Sequence, residues 1–233
     1  MKSKLLLSMI VKNEANRYLR KVLELNSIFA DHILIIDDAS TDETVKVCEE
    51  ILKNKSYTII CNYESKFSKE YTLRKEQWNI ALSYDDFDWF LVLDADEILD
   101  SSFLNIKSQL LDQNEINAFY FRLYDMWSET HYRDDNLWCA HNTFRPFLVR
   151  PDRNQQFNWN ETNQHCGRFP KEIYQLSYSC HPLRIQHLGW SSENDRINKY
   201  LRYKQLDPNA EFGNKAHYES ILDKNPNLQE WIS

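Results

Sequence analysis

Glycine is almost missing from this chain. Three occur in 233 residues, at Gly167, Gly189 and Gly213, so the whole first half has none. A dinucleotide-binding turn or a P-loop presses backbone against phosphate and needs several glycines in the first strand-to-helix connection. Neither can be built here. Basic charge is also scarce: 28 Lys and Arg face 35 Asp and Glu, a formal net charge of −7. That balance offers no concentrated basic face for nucleic acid. No run approaches the ~18–20 apolar residues of a membrane span, which leaves peripheral attachment as the only expected membrane contact. Lys2 and Lys4 ahead of Leu5–Val11 suggest a leader peptide at first sight. The run is short, lacks a small-residue cleavage site, and passes straight into Lys12-Asn13-Glu14, so a buried strand explains it better. The five cysteines (Cys48, Cys61, Cys139, Cys166 and Cys180) form no C-x-x-C pair and are odd in number. Zinc knuckles and a disulfide framework are therefore disfavoured, and inert thiols in a reducing, cytoplasmic setting are expected.

What is present reads as an α/β chain. With 42% hydrophobic and 14% aromatic residues, a chain of this length buries roughly 70–75% of its unfolded surface and needs no staple. Continuous apolar runs at Leu5–Val11, 32–36, Tyr57–Cys61 and 89–93 alternate with helical spacing over 15–28, 43–52 and 71–82. Ser40 or Thr41 is the expected cap of the second helix. Strands without polar alternation, separated by helices, imply a doubly wound, mostly parallel sheet with helices on both faces. Residues 117–124, 147–149 and 183–187 are further strand candidates, with helices at Glu193–Leu206 and 216–222. The segment between 125 and 164 has no clean period. One domain over 1–233 is expected, with a nucleotide-binding half (1–113) and a less regular acceptor-side half (114–233).

Ligands in such sheets lie beyond the carboxyl ends of the strands. The polar residues there are Lys12-Asn13-Glu14, Asp37-Asp38 and Asp94-Ala95-Asp96-Glu97. Without a glycine cradle, a divalent cation held by carboxylates is the substitute for neutralising a diphosphate. On an extended chain Asp94 and Asp96 point to the same side and would address one Mg²⁺ or Mn²⁺. An acidic triplet at a strand end can also simply close a turn.

Three segments together resemble the family 2 glycosyltransferases of the GT-A fold: Leu7-Ser8-Met9-Ile10-Val11-Lys12-Asn13-Glu14, then Ile35-Ile36-Asp37-Asp38-Ala39-Ser40-Thr41-Asp42-Glu43-Thr44, then Trp89-Phe90-Leu91-Val92-Leu93-Asp94-Ala95-Asp96-Glu97. Ile185-Gln186-His187-Leu188-Gly189-Trp190 and Tyr218-Glu219-Ser220-Ile221-Leu222-Asp223 resemble a bacterial subset more loosely. The resemblance implies inverting transfer of a sugar from a nucleoside diphosphate donor, commonly uridine-linked, to a growing polysaccharide, a lipid-linked glycan or a protein. It implies that Val11, Lys12, Asn13 and Glu14 wrap the nucleoside, that Asp38 meets the base edge, and that Asp94 lies near ribose and metal. Asp96 would ligate Mn²⁺ or Mg²⁺, and His187 is the expected further ligand, with His165 a second candidate. Arg74 stands one helical turn before Trp78-Asn79, where relatives often carry Arg-Asn, and would reach the nucleotide instead.

Inversion needs a base for the acceptor hydroxyl. Asp125, Glu129, Asp134, Asp135 and Glu161 are candidates, and Glu129 and Asp135 are preferred because residues 127–138 set acids among aromatics. Trp127, Tyr132, Trp138 and Trp159 could stack on a sugar, although packing is the commoner role of a single aromatic. A nucleotidyltransferase is the alternative enzyme, disfavoured by the missing glycine-rich loop. A non-catalytic nucleotide- or carbohydrate-binding module is the remaining class.

Overall fold

The apolar runs of the first half are strands β1 (Leu5–Val11), β2 (His32–Asp37), β3 (Tyr57–Cys61) and β4 (Trp89–Val92) of a computed structural model that describes residues 2–163 and 165–232. They pair in parallel in the order β3-β2-β1-β4. Side chains of β1 alternate between two buried layers, which is why its run has no polar gap. Leu5, Leu7, Met9 and Val11 pack with α1 (Leu19–Asn26), α2 (Thr44–Leu52) and α4 (Phe103–Leu111), whereas Leu6 packs with α3 (Glu70–Leu82) on the other face.

The second half continues the same sheet. After β5 (Glu97–Leu99) come β6 (Ala118–Asp125), β7 (His131–Arg133), β8 (Phe144–Val149) and β9 (Tyr178–His187). The chain ends with α5 (Glu193–Leu206), α6 (Lys215–Ser220) and β10 (Leu228–Glu230). The eight-stranded order is β3-β2-β1-β4-β8-β6-β9-β5, with β7 and β10 forming a separate ribbon. Four of the seven neighbouring pairs are parallel, so the sheet is mixed and mostly parallel, with the first half wholly parallel.

One expectation needs correction. Ser40 and Thr41 do not cap α2. Its N-cap is Glu43, with no side-chain cap bond, and Asp42 Oδ1 accepts from the Thr44 backbone N–H at 3.0 Å in the turn that leads in. Ser40 and Thr41 instead bind Asn13 across the strand ends, at 2.9 and 2.8 Å. The aromatics Trp127, Trp138 and Trp159 take the commoner role expected of them and are core. Trp127 and Trp138 are buried in a cluster with Trp190, Tyr203, Tyr218 and Ile221, and Trp159 packs in the layer of α3. Arg133 lies over the rings of Trp127 and Trp138, which spends their π faces on a cation.

The scarcity of glycine leaves its mark at the strand ends. The turns after β1 and β2 need left-handed backbone, and Asn13 (φ 52°) and Ala39 (φ 57°) supply it. Asparagine tolerates that region; alanine pays roughly 1–2 kcal/mol there.

Candidate active site

The carboxyl ends of β1 and β4 and the exit of β9 face a cleft of about 710 Å³. Its walls include Val11, Lys12, Asn13 and Glu14 from the β1 exit, together with Arg74, Asp94, Asp96 and His187. Asp38 sits behind this wall, fully buried, and is engaged by the loop after β3. Its carboxylate accepts from the Lys66 backbone N–H at 2.8 Å and from the Ser65 hydroxyl at 2.6 Å. Lys12 reaches the same point, donating to Ser65 and lying 3.8 Å from Asp38 Oδ2.

Glu14 has one oxygen paired with Arg17, and its second, Oε2, is buried with no hydrogen-bond partner. Burial outweighs the nearby Arg17 guanidinium and pushes this carboxyl up to about 7.

Asp94 and Asp96 do not lie on extended chain. The strand ends at Val92, and Asp94-Ala95-Asp96 is a tight turn into β5, closed by the Glu97 N–H donating to Asp94 O at 3.0 Å. The two carboxylates therefore diverge toward different partners. Asp94 faces guanidinium: Arg74 Nη2 lies 2.8 Å from its Oδ1 and Arg168 Nη2 lies 3.3 Å from its Oδ2. Burial alone would raise Asp94; Arg74 and then Arg168 overcome it and hold the carboxyl well below its usual range. Arg168 also forms a fork on buried Glu97, with both bonds at 2.6 Å. Glu97 in turn accepts from the Asp94 backbone N–H at 2.8 Å, which fixes the turn.

Asp96 points the other way, toward His187 Nε2 at 3.6 Å and Lys199 Nζ at 3.6 Å. Burial opposes its charge, but His187 and then Lys199 prevail and keep it ionised far below the ordinary carboxylate range. The opposite ring nitrogen of His187, Nδ1, donates to Asp125 Oδ1 at 2.7 Å. Burial and the Lys199 ammonium disfavour charge on His187, yet Asp96 and Asp125 push the imidazole up to about 9. Pairing of β5 with β9 in the register Glu97↔His187 brings residues 90 positions apart in sequence into this cluster.

Glu129 and Asp135, the expected bases, are not brought to the cleft. Glu129 is exposed and lies 3.6 Å from Lys21. Asp135 is spent on structure, accepting from Arg133 Nε at 2.6 Å and from the backbone N–H groups of Leu137 and Trp138. Asp134 pairs with His141, Glu161 with Lys75, and Asp125 serves His187. His165 lines the cleft but donates to or accepts from the Tyr218 hydroxyl at 2.9 Å. The sequence did not single out Arg168 or Lys199, and it marked Glu97 only as part of the polar run after the fourth strand. Arg168 lies beside a glycine and outside every expected strand or helix, and Lys199 has the spacing of a solvated helix face.

Among the described residues, no three or more His, Cys, Asp or Glu side chains are assembled to hold a metal ion. Asp96 and His187 nevertheless suit one in kind: a hard carboxylate oxygen, and an imidazole whose ring is fixed from behind by a carboxylate and whose Nε2 becomes a ligand on giving up its proton to the arriving cation's competition. Two protein ligands leave coordination positions for phosphate oxygens and water, as Mg²⁺ and Mn²⁺ prefer.

A second recess of about 540 Å³ adjoins the cleft. Asn16, Asn194 and Asn198 line it, and Arg17, Lys199 and Arg202 are shared by both cavities. No helix among the described residues is long and apolar enough to cross a membrane.

Comparison with known proteins agrees with this architecture. The uncharacterized protein Rv3786c of Mycobacterium tuberculosis is 24% identical over 238 residues, which cover 93% of this chain and 54% of that protein. The chain thus spans about half the length of the curated relatives it matches. Residues 1–349 of Staphylococcus aureus TarS, in complex with UDP-GlcNAc, superpose with a TM-score of 0.54 at 15% identity, over 94% of this chain and 70% of that one. The mannosyltransferase PcManGT from Pyrobaculum calidifontis, in complex with GDP-Man and Mn²⁺, gives 0.53 at 14% identity, over 95% and 68%. At such identities the likeness concerns the fold. The model of glycosyl transferase family 2 matches residues 7–170, so the chain belongs to that family and carries its GT-A architecture.

Proposed function

We propose that this chain transfers a sugar from a nucleoside diphosphate donor, UDP-linked in the first instance, to a hydroxyl of a glycan, lipid-linked or protein acceptor, with inversion at the anomeric carbon. The observation that carries this reading is the facing pair of Asp96, in the turn between β4 and β5, and His187, at the end of β9, with Asp125 fixing the ring from behind. TarS with UDP-GlcNAc and PcManGT with GDP-Man and Mn²⁺ share the fold, and both donors are nucleoside diphosphate sugars.

In this reading the nucleoside lies along Val11, Lys12, Asn13 and Glu14. Asp38 holds the loop carrying Ser65 and Lys66 at the base edge. Arg74 and Arg168 keep Asp94 ionised and immobile, so that it accepts from the ribose at little cost in ordering. Asp96 and His187 would hold Mn²⁺ or Mg²⁺, which supplies positive charge to the departing diphosphate. The acceptor enters by the Asn-lined recess, where amides suit the hydroxyls of a sugar. Its oxygen attacks the anomeric carbon as the bond to the diphosphate oxygen breaks, and its proton is lost to a base.

The test is release of nucleoside diphosphate from a panel of UDP- and GDP-sugars, with and without Mn²⁺, in the presence of simple glycoside acceptors. Release that needs both acceptor and metal, and that is lost in Asp96→Ala, supports the reading. Tight nucleotide binding with no release from any donor would favour a binding module instead.

A further inference from the structure

The space between Asp96 and His187 is not open. Lys199 Nζ stands 3.6 Å from Asp96 Oδ2 and 3.4 Å from His187 Nε2, and those two atoms are themselves 3.6 Å apart. Three polar atoms thus form a nearly equilateral triangle, with an ammonium at one corner. Gly189 forms its floor. A Cβ on that residue would lie 2.2 Å from both Asp96 Oδ2 and Lys199 Nζ, and 2.9 Å from His187 Nε2. Any side chain there would fill the gap, which gives one of the three glycines a reason to be where it is.

Lys199 is seated as well as attracted. Its Nζ lies 4.2 Å from the ring centroid of Trp190, a favourable place for a cation, and the side chain is largely buried. One turn further along α5, Arg202 lines the same cleft over Phe67 and Tyr203, and its Nε is buried without a hydrogen-bond partner. Asp96 is therefore neutralised by the protein itself, and a cation arriving there has to displace an ammonium already in contact with it. A four-carbon stem lets that ammonium move several ångströms without any change in the helix.

We propose that Lys199 is a tethered counter-cation: it occupies the Asp96–His187 pair when the cleft is empty, and moves to the donor diphosphate beside Arg202 when metal and nucleotide enter together. This rests on the reading of Asp96 and His187 as metal ligands. Its consequence is coupling. Metal alone must evict Lys199 into solvent, whereas metal with diphosphate gives the ammonium a new partner. Each ligand therefore strengthens the other, by the same factor in both directions.

The test is Mn²⁺ binding followed by electron paramagnetic resonance and calorimetry, without turnover, for wild type, Lys199→Met, Lys199→Gln and Asp96→Ala, each alone and with UDP or GDP. Circular dichroism confirms folding, and two neutral variants guard against one failing to fold. In the wild type, the nucleotide is expected to tighten Mn²⁺ binding by about tenfold or more. In Lys199→Met and Lys199→Gln, Mn²⁺ alone binds about tenfold more tightly than in wild type, and the coupling to nucleotide shrinks toward unity. If Asp96→Ala abolishes Mn²⁺ binding but the two Lys199 variants match the wild type, the counter-cation role is wrong and the metal site stands. If Mn²⁺ binds equally in wild type and Asp96→Ala, or in neither, the metal reading fails and the proposal with it.

Discussion

His187 is held between two carboxylates: its Nδ1 donates to Asp125 Oδ1 at 2.7 Å, and its Nε2 faces Asp96 Oδ2 at 3.6 Å. The first contact fixes which nitrogen is left to face the cleft. Outer carboxylates of this kind typically govern metal affinity by 10–100-fold, because they set the orientation and basicity of the ring. Asp125→Ala is accordingly expected to weaken Mn²⁺ binding in the presence of UDP by about that factor. Calorimetry reads it directly. An unchanged affinity would mean that the hydrogen bond only packs the end of β6.

Arg168 is expected to matter first for stability. Its fork on Glu97 is buried, and removal of one partner leaves the other charge uncompensated. Arg168→Met should cost about 3–5 kcal/mol in urea unfolding, the usual penalty for breaking a buried pair. A loss below about 1 kcal/mol, the range of an exposed pair, would show that Glu97 finds another partner or water.

Gly189→Ala separates site from scaffold. The added methyl meets the movable ends of Asp96 and Lys199, not backbone, so the fold can yield while the site cannot. The melting temperature should shift by less than about 4 °C, roughly 1 kcal/mol for a chain of this size. Release of nucleoside diphosphate should fall by about tenfold or more, as it does when a catalytic group is slightly misplaced. Full activity would show that the Asp96–Lys199–His187 triangle is not used.

Glu14 gives a pH signature. Burial raises its carboxyl from 4.5 to about 7, so between those values the folded state holds a proton that the unfolded state has lost. Folding stability contributed by this residue is complete below about 4.5 and is lost as pH rises through about 7. Glu14→Gln imitates the neutral form. The variant should match wild type near pH 4 and melt higher than wild type near pH 8. A gap that is the same at both pH values would place the Glu14 carboxyl in its ordinary range.

Much of the first half was legible because its strands are buried on both faces, which writes Leu5–Val11 and Trp89–Val92 as unbroken apolar runs. The turn at Asp94-Ala95-Asp96 was visible as composition but not as geometry. Three-residue β5 follows it so closely that Glu97–Leu99 reads as a continuation of β4, whereas the chain reverses between them. β9 was half seen, since Pro182 and His181 interrupt its pattern and only 183–187 shows a run. Arg168 and Lys199 were hidden for a different reason. Their roles come from register and from helix placement: Glu97↔His187 pairing sets one corner of the site and the seating of α5 sets another. A single sequence carries little trace of either. Glu129 and Asp135 stand among aromatics in the sequence, as a sugar site would have them, but Trp127 and Trp138 belong to a core cluster held by Arg133.

The most direct test of the Asp96–His187 centre is calorimetric binding of UDP and GDP to wild type and Asp96→Ala, with and without Mn²⁺. The expected result is nucleotide binding that is tight only with Mn²⁺ in the wild type and weak under both conditions in Asp96→Ala. Nucleotide binding of equal strength with and without Mn²⁺, unchanged by Asp96→Ala, would contradict the assignment.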